Sequence, residues 1–422
     1  MSSSSPTPGG PTAGRLPERE RALLMVISGN LLVDALEMFV VLIALPSIGR
    51  DLGLASPSMW WILAGFPAGF AALLPFSTRV AARYGRRRVY LVAMAGFAGA
   101  SLAAGVAHTG PSLIATQIVK GCCAALTTPT GLAILTTAWP DEGARKRALA
   151  VYSGFGAAGS SSGLLLSGAL TEISWRWTLL FPVPLVLLLL QQALRVLPPD
   201  PVGRGTPDRP VPRAVLRNGP LLRSALVAMS LNGSFLGLLL LVDTRFQLQS
   251  GWSPWRTALL CLPACLPLAL CTLLGLNLSR IPPRRRILLG ALAALAGQVL
   301  HLILPVPFAV RVPLATLLVG IAFVAAFAAL NEQAFSTIPP VDRPKAAPLF
   351  QTAVQLSSVA MIIAVAPLLA GGSGPRRTAL LTTSVAAAGA AIALLGPVAG
   401  RAPSPAPSRA ARLPEPSSKD VP

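Results

Sequence analysis

The sequence predicts an all-α polytopic membrane protein: twelve transmembrane helices in two six-helix bundles. Three observations carry that prediction. Hydrophobic residues make up 53% of the 422 residues and charged residues only 12%, against about 25% charged in an ordinary soluble domain. Mean hydropathy is +0.65. The apolar residues gather into twelve segments near the ~20 residues that a helix needs to cross a bilayer, and arginine-rich loops fall between alternate pairs of them.

In order, the first six segments run Ala22–Pro46, Trp61–Thr78, Val89–Ala107, Pro111–Ala138, Leu149–Leu170 and Trp177–Leu197. The second six run Ser224–Val242, Thr257–Leu278, Ile287–Leu304, Val312–Phe335, Ala347–Leu369 and Ala379–Ala399. The Pro/Arg/Gly-rich stretch Pro198–Gly219 reads as a linker, which divides the chain into bundles over 22–198 and 220–400. Residues 1–21 are Ser/Pro/Gly-rich and read as a disordered tail, not a signal peptide, because the first apolar segment is too long and too acidic for a signal core. Residues 401–422 read as a second disordered tail.

The positive-inside rule orients the bundle. With the N-terminus cytoplasmic, 27 of the 35 Lys and Arg residues fall in cytoplasmic segments, seven in outer loops (Arg50, Arg176, Arg245, Arg256, Arg311, Arg376, Arg377) and one, Lys120, inside span 4. Both termini are therefore expected in the cytoplasm. Scarce lysine beside arginine, with abundant Ala, Gly and Pro, suggests a GC-rich bacterium and a multi-pass protein of its inner (plasma) membrane. The loop after span 2 carries Arg86-Arg87-Arg88 and the loop after span 8 carries Arg284-Arg285-Arg286, 198 residues apart. That spacing predicts a parallel repeat about an axis along the membrane normal.

The net charge of +20 sits in short loops rather than on a basic face of a soluble domain, so no nucleic-acid partner is expected. The five cysteines (Cys122, Cys123, Cys261, Cys265, Cys271) lie in apolar segments without zinc or disulfide spacing. With only His108 and His301 besides, no metal and no cofactor are expected. Ionisable residues inside a bilayer are costly and mark substrate or proton paths. Asp34 falls near the middle of span 1, with Glu37 one helical turn further on the same face.

The loop Arg79-Val80-Ala81-Ala82-Arg83-Tyr84-Gly85-Arg86-Arg87 resembles the loop signature Gly-x-Leu-Ala-Asp-Arg-x-Gly-Arg-Arg of the major facilitator superfamily. Leu36-Glu37 followed by Ala44-Leu45-Pro46 is similar to the Leu-Asp and Val-Ala-Leu-Pro of its fourteen-span drug/proton antiporters. Trp175-Arg176-Trp177, and the stretch Gln247–Pro263 with Gly251-Trp252, resemble further segments of that group, although its two extra spans are missing here. The chain departs from the pattern in four places: Ala82 replaces the loop acid, Thr78 the leading glycine, Leu164 the span 5 proline and Gln117 the span 4 arginine.

The resemblance implies a cavity lined by spans 1, 4, 7 and 10. Those spans supply Asn30, Asp34 and Glu37, Gln117 and Lys120, Asn232, and Asn331 and Glu332. At ~1.5 Å per residue, Glu37 and Lys120 both fall about 5 Å outward of their spans' middles. A lone buried lysine needs a partner, so the two are expected to pair and, with Asp34, to couple proton movement. Glu332 lies near the cytoplasmic end of span 10, where a solvated role and a functional role stay equally open. Asp243 and Arg245 are expected to pair locally. In the loop, Gly85 is expected to permit a tight turn, and Arg79, Arg83, Arg86 and Arg87 to anchor it. Gly159, Gly163 and Gly168 in span 5 are expected to permit close helix packing.

The implied function is secondary active transport by alternating access: proton-coupled export of an amphipathic small organic molecule, a drug or a natural product, by a monomer. A facilitator or proton symporter importing a small metabolite is the alternative on the same fold. A membrane sensor or polytopic enzyme stands further off, since no nucleotide-binding loop, nucleophile motif or metal cluster is present.

Overall fold

Helix α1, Glu18–Asp51, is 34 residues long, about 50 Å at ~1.5 Å per residue. In this computed structural model the described residues are 17–395 apart from 55, 140, 200–211, 275–277, 340–341 and 371–373. The expected C-terminal tail, with most of the N-terminal tail and the linker, lies outside them. The spanning elements that follow are α2 (Ser58–Tyr84), α3 (Arg86–Gly105), α4 (Gly110–Ala138), α5 (Glu142–Ile173) and α6 (Trp175–Val196). In the second half come α7 (Gly219–Gln249), α8 (Pro254–Cys261 continued by Leu266–Leu273), α9 (Pro283–Ile303), α10 (Phe308–Ala334), α11 (Lys345–Leu369) and α12 (Gly374–Leu394). Ten of the twelve are long and apolar enough to cross a membrane by length and composition.

The remaining two have identifiable reasons to fall short. α5 is 32 residues long but dilutes its apolar residues with glycine and serine. α8 is not the continuous helix expected over Thr257–Leu278: Leu262–Ala264 form a 3-10 turn around Pro263, whose missing N–H breaks the ladder. Pro75 does the same inside α2, at Leu74–Phe76. α7 runs past its expected end at Val242 through a π-helical turn, Thr244–Gln249.

Starts and turns follow local chemistry. Asp141, Thr109, Ser174, Asn218 and Ser253 each cap a helix, their side-chain oxygens accepting the backbone N–H two or three residues on. Gly85 joins α2 to α3 with φ +90°, in the left-handed region that glycine adopts freely.

The packing is the same in both halves. In the first, α1 packs on α5 and α6, α2 on α4, and α3 on α4 and α6. In the second, α7 packs on α11 and α12, α8 on α10, and α9 on α10 and α12. Between the halves α2 meets α11 and α5 meets α8. Close approach recurs at matching places: a Cβ on Gly121 would stand 2.1 Å from the Phe66 carbonyl oxygen, and one on Gly320 would stand 2.3 Å from that of Ala264. Gly159 and Gly163 let α5 lie against α1 at Leu32 and Leu36, whereas Gly168 lets α5 meet Ala258 of α8 across the halves.

The apolar core is divided unequally. At the face opposite the arginine-rich loops one cluster spans both halves, joining Val40–Leu45 and Trp60 to Leu238–Val242, Val312 and Val365. Toward the arginine-rich face it splits into two, one holding Leu23, Tyr90 and Leu135, the other Leu221, Phe350 and Leu330.

Gly121→Ala is expected to destabilise by about 1–3 kcal/mol through overpacking, whereas Gly99→Ala, with nothing within 4 Å of the new methyl, is expected to be neutral or to gain up to about 1 kcal/mol. Thermal unfolding of the purified protein in detergent compares the two.

Candidate functional site

Lys120 on α4 forms an ion pair with Glu37 on α1, with the Lys120 Nζ donating to Glu37 Oε1. Lys120 is 0% exposed and Glu37 2%, so both charges are out of water. The ammonium also lies 5.3 Å from the centre of the Phe97 ring on α3, a cation–π contact. Among the described residues Glu37 Oε2 has no hydrogen-bond partner, and neither has either end of the Gln117 carboxamide, one turn from Lys120. Glu37 and Gln117 line one small cavity between the halves, with Phe66 and Pro67 of α2, Leu236 of α7 and Ser358 of α11.

Asp34 occupies a separate polar group three residues from Glu37. Asn30 Nδ2 donates to its Oδ2 at 3.1 Å and Thr128 Oγ1 at 2.9 Å, with Thr127 Oγ1 at 3.4 Å. No cation is paired with Asp34 among the described residues. The two threonines stand seven and eight residues after Lys120, two helical turns on, so their place on the Lys120 face was available from spacing alone.

The other cavity candidates are spent elsewhere. Asn232 Nδ2 donates to the Val354 carbonyl and to the Ser357 and Ser358 hydroxyls, tying α7 to α11. Asn331 Nδ2 donates to Phe327 of its own helix. Glu332 accepts from Arg286 Nη2 at 2.6 Å, joining α9 to α10 away from the Glu37 group.

The expected Asp243–Arg245 pair does not form. The π-helical turn brings the residue four positions on beside each: Gln247 Nε2 donates to Asp243 Oδ1 and Arg245 Nη1 donates to Gln249 Oε1, both at 2.5 Å. Gln247 Nε2 also donates to the Ile43 carbonyl at 2.9 Å, bridging α7 to α1 across the halves. On the arginine-rich loop, Arg79, Arg83 and Arg86 are exposed, and Arg87 Nη2 donates to the Leu194 carbonyl in the last turn of α6 at 2.8 Å.

Sequence reasoning missed an aromatic row. Phe39 of α1, Phe235 of α7, Phe323 and Phe327 of α10, Phe350 of α11 and Phe335 follow one another with ring centres 5.1–6.4 Å apart. It begins next to the cavity helices and runs down the second half toward the arginine-rich face. No helical period links residues on four separate elements, so no spacing rule shows it.

Glu37→Leu and Lys120→Met, made singly, are each expected to cost about 3–5 kcal/mol by leaving one buried charge unpaired. The double variant is expected to be more stable than either, as thermal unfolding in detergent would register.

Comparisons place this geometry among known proteins. A Major Facilitator Superfamily model matches residues 27–362. The puromycin resistance protein pur8 of Streptomyces alboniger is 38% identical over 44% of this chain and 36% of its own length. The cephamycin export protein CmcT of Amycolatopsis lactamdurans is 36% identical over 53% of this chain and 50% of its own length. The multidrug efflux pump LfrA of Mycolicibacterium smegmatis is 32% identical over 45% of this chain and 38% of its own length. The matches thus span about a third to a half of these relatives. A crystal structure of a variant of the nucleoside transporter NupG superposes with TM-score 0.69 at 14% identity, over 89% of this chain and 99% of that one, which speaks for the fold alone. With twelve helical spans in two repeated halves among the described residues, a cavity between the halves and a family match over most of its length, the chain belongs to the Major Facilitator Superfamily.

Proposed function

We propose that the protein is a proton-coupled exporter of an amphipathic small organic molecule, a drug or a natural product, working by alternating access as a monomer in the plasma membrane. One observation carries this reading: a buried carboxylate, held by a lysine through one oxygen and without a hydrogen-bond partner among the described residues at the other, lines the cavity between the two halves. A proton arriving at Glu37 removes the charge that holds Lys120. The lysine is then a buried cation without a partner, which is costly. The helices carrying the two residues must rearrange, or the proton must leave. Either response links proton movement to the relation between α1 and α4.

The positive-inside count supports a cytoplasmic arginine-rich face and cytoplasmic termini, with two six-helix bundles over 22–198 and 220–400. In that orientation the shared apolar cluster and the Gln247–Ile43 bond close the outer side. Toward the cytoplasm, where an exporter loads, the buried apolar core divides into one cluster per half. The aromatic row offers flat apolar faces along that route, and stacking of an aromatic substrate on them is worth about 0.5–1.5 kcal/mol per pair. The roles named for the relatives, puromycin resistance and cephamycin export among them, support the substrate class.

Everted vesicles loaded with a pH gradient test the reading, with ethidium and puromycin as probes. Uptake into the vesicles is expected to need the gradient, and Glu37→Gln is expected to abolish that dependence. Flux indifferent to the gradient, or coupling unchanged in both Glu37→Gln and Asp34→Asn, would overturn it. Phe323→Ala is expected to raise KM for an aromatic probe about two- to tenfold with coupling kept. Gln247→Ala is expected to loosen the outer closure, read as faster labelling of the buried Cys261 by a membrane-impermeant maleimide.

A further inference from the structure

At the corner where α7, α9 and α10 end on the face opposite the arginine-rich loops, three basic side chains converge on one phenyl ring. The Arg311 guanidinium lies 4.7 Å from the centre of the Phe308 ring, that of Arg245 5.8 Å, and the His301 imidazole meets its edge with centres 5.0 Å apart. The groups are near enough for Arg245 and His301 each to interact electrostatically with Arg311. Among the described residues neither guanidinium has a carboxylate within ion-pair distance. Asp243, nearest along the chain, is buried and engaged with Gln247. Arg245 Nη1 donates to the Gln249 carboxamide and Arg311 Nη1 to the Leu304 carbonyl. Among the described residues Arg311 Nε and His301 Nδ1 have no hydrogen-bond partner, and His301 is only 3% exposed.

The first residue of α10 is Phe308 itself, preceded by Pro307, which offers no side-chain cap. The free N–H groups and positive dipole end of that helix therefore add to the same field. The matching corner of the first half is built to neutralise itself. There Thr109 caps α4, and Asp51 accepts from Arg176 and from the Trp175 indole. One corner carries its own anion and its own cap. The other has two arginines, a buried histidine and an uncapped helix, on the face where the positive-inside pattern leaves only seven basic residues.

We propose that the Arg245–His301–Arg311 corner is a binding site for a phosphate-type oxyanion. Guanidinium groups present paired donors matched to phosphate oxygens, and a helix N-terminus favours the same charge. At the edge of the bilayer such a group is supplied either by an anionic phospholipid headgroup or by a soluble phosphate. The site is independent of the direction of transport, since it lies in one half and uses none of the cavity groups.

The full-length protein serves for the test. In detergent, its melting temperature is followed by tryptophan fluorescence while inorganic phosphate replaces chloride at constant ionic strength. In nanodiscs, phosphatidylcholine alone is compared with phosphatidylcholine plus phosphatidylglycerol. A saturable rise is expected, with half-saturation weakened about tenfold or more in Arg245→Gln/Arg311→Gln and kept in the outer-loop control Arg256→Gln. A rise with phosphate identifies a soluble ligand, and a rise with phosphatidylglycerol alone identifies a lipid. Because Arg245 is exposed, Arg245→Gln alone reads the same effect should the double variant not fold. No rise in either arm, or an equal rise in wild type and the arginine variants, overturns the proposal.

Discussion

The Lys120–Glu37 pair is the interaction on which the rest of the first half depends. Two opposite charges with almost no exposure sit at membrane depth, where each alone would cost several kcal/mol and together they are tolerated only in good geometry. Holding that geometry requires α1 and α4 at a fixed distance and depth. The fit of α4 to its neighbours is set by Gly121, whose missing side chain admits the Phe66 carbonyl of α2. Gly159 and Gly163 similarly seat α5 against α1. Small residues thus set the backbone distances, and the ion pair exploits them. Lipid offers little hydrophobic drive for helices to associate, so close packing of this kind is the available source of stability.

The two halves share one packing plan but divide the chemistry. The first half holds the charged pair at the cavity side, Glu37 and Lys120, with Gln117 and the buried Asp34 near it, whereas the buried Asp243 and Arg286 of the second half are engaged elsewhere. The second half contributes a nearly continuous row of phenylalanine rings, and the buried Asn232 of α7 is consumed in tying α7 to α11. A repeat duplicates backbone contacts because these depend on small residues at matching places, Gly121 and Gly320. It leaves the side chains that face the cavity free to diverge, because those are not needed to seat the helices.

Closure between the halves is also unequal from face to face. Opposite the arginine-rich loops, an apolar cluster, the Gln247 bridge to Ile43, and a bond from the Trp255 N–H to Glu172 all cross the boundary. Gln247 binds the Asp243 carboxylate of its own helix and the Ile43 carbonyl of the other half with one amide nitrogen, which ties the end of α7 to the outer part of α1.

The sequence by itself determined the class of the protein, the number of spans and the repeat, because bilayer thickness and the positive-inside rule act on local composition. It also placed Glu37 and Lys120 at one depth, since rise per residue is constant along a helix. Spacing could reach Thr127 and Thr128 as well, which share the Lys120 face of α4. Only the tertiary structure decided that Asn232 serves packing, that Glu332 pairs with Arg286, and that Arg245 turns from Asp243 to Gln249. It alone brought six phenylalanines from four elements into a row. Those outcomes depend on which face each helix presents to a neighbour, and on turns such as the π-helical end of α7. Local composition does not encode helix rotation; close packing of the whole bundle does.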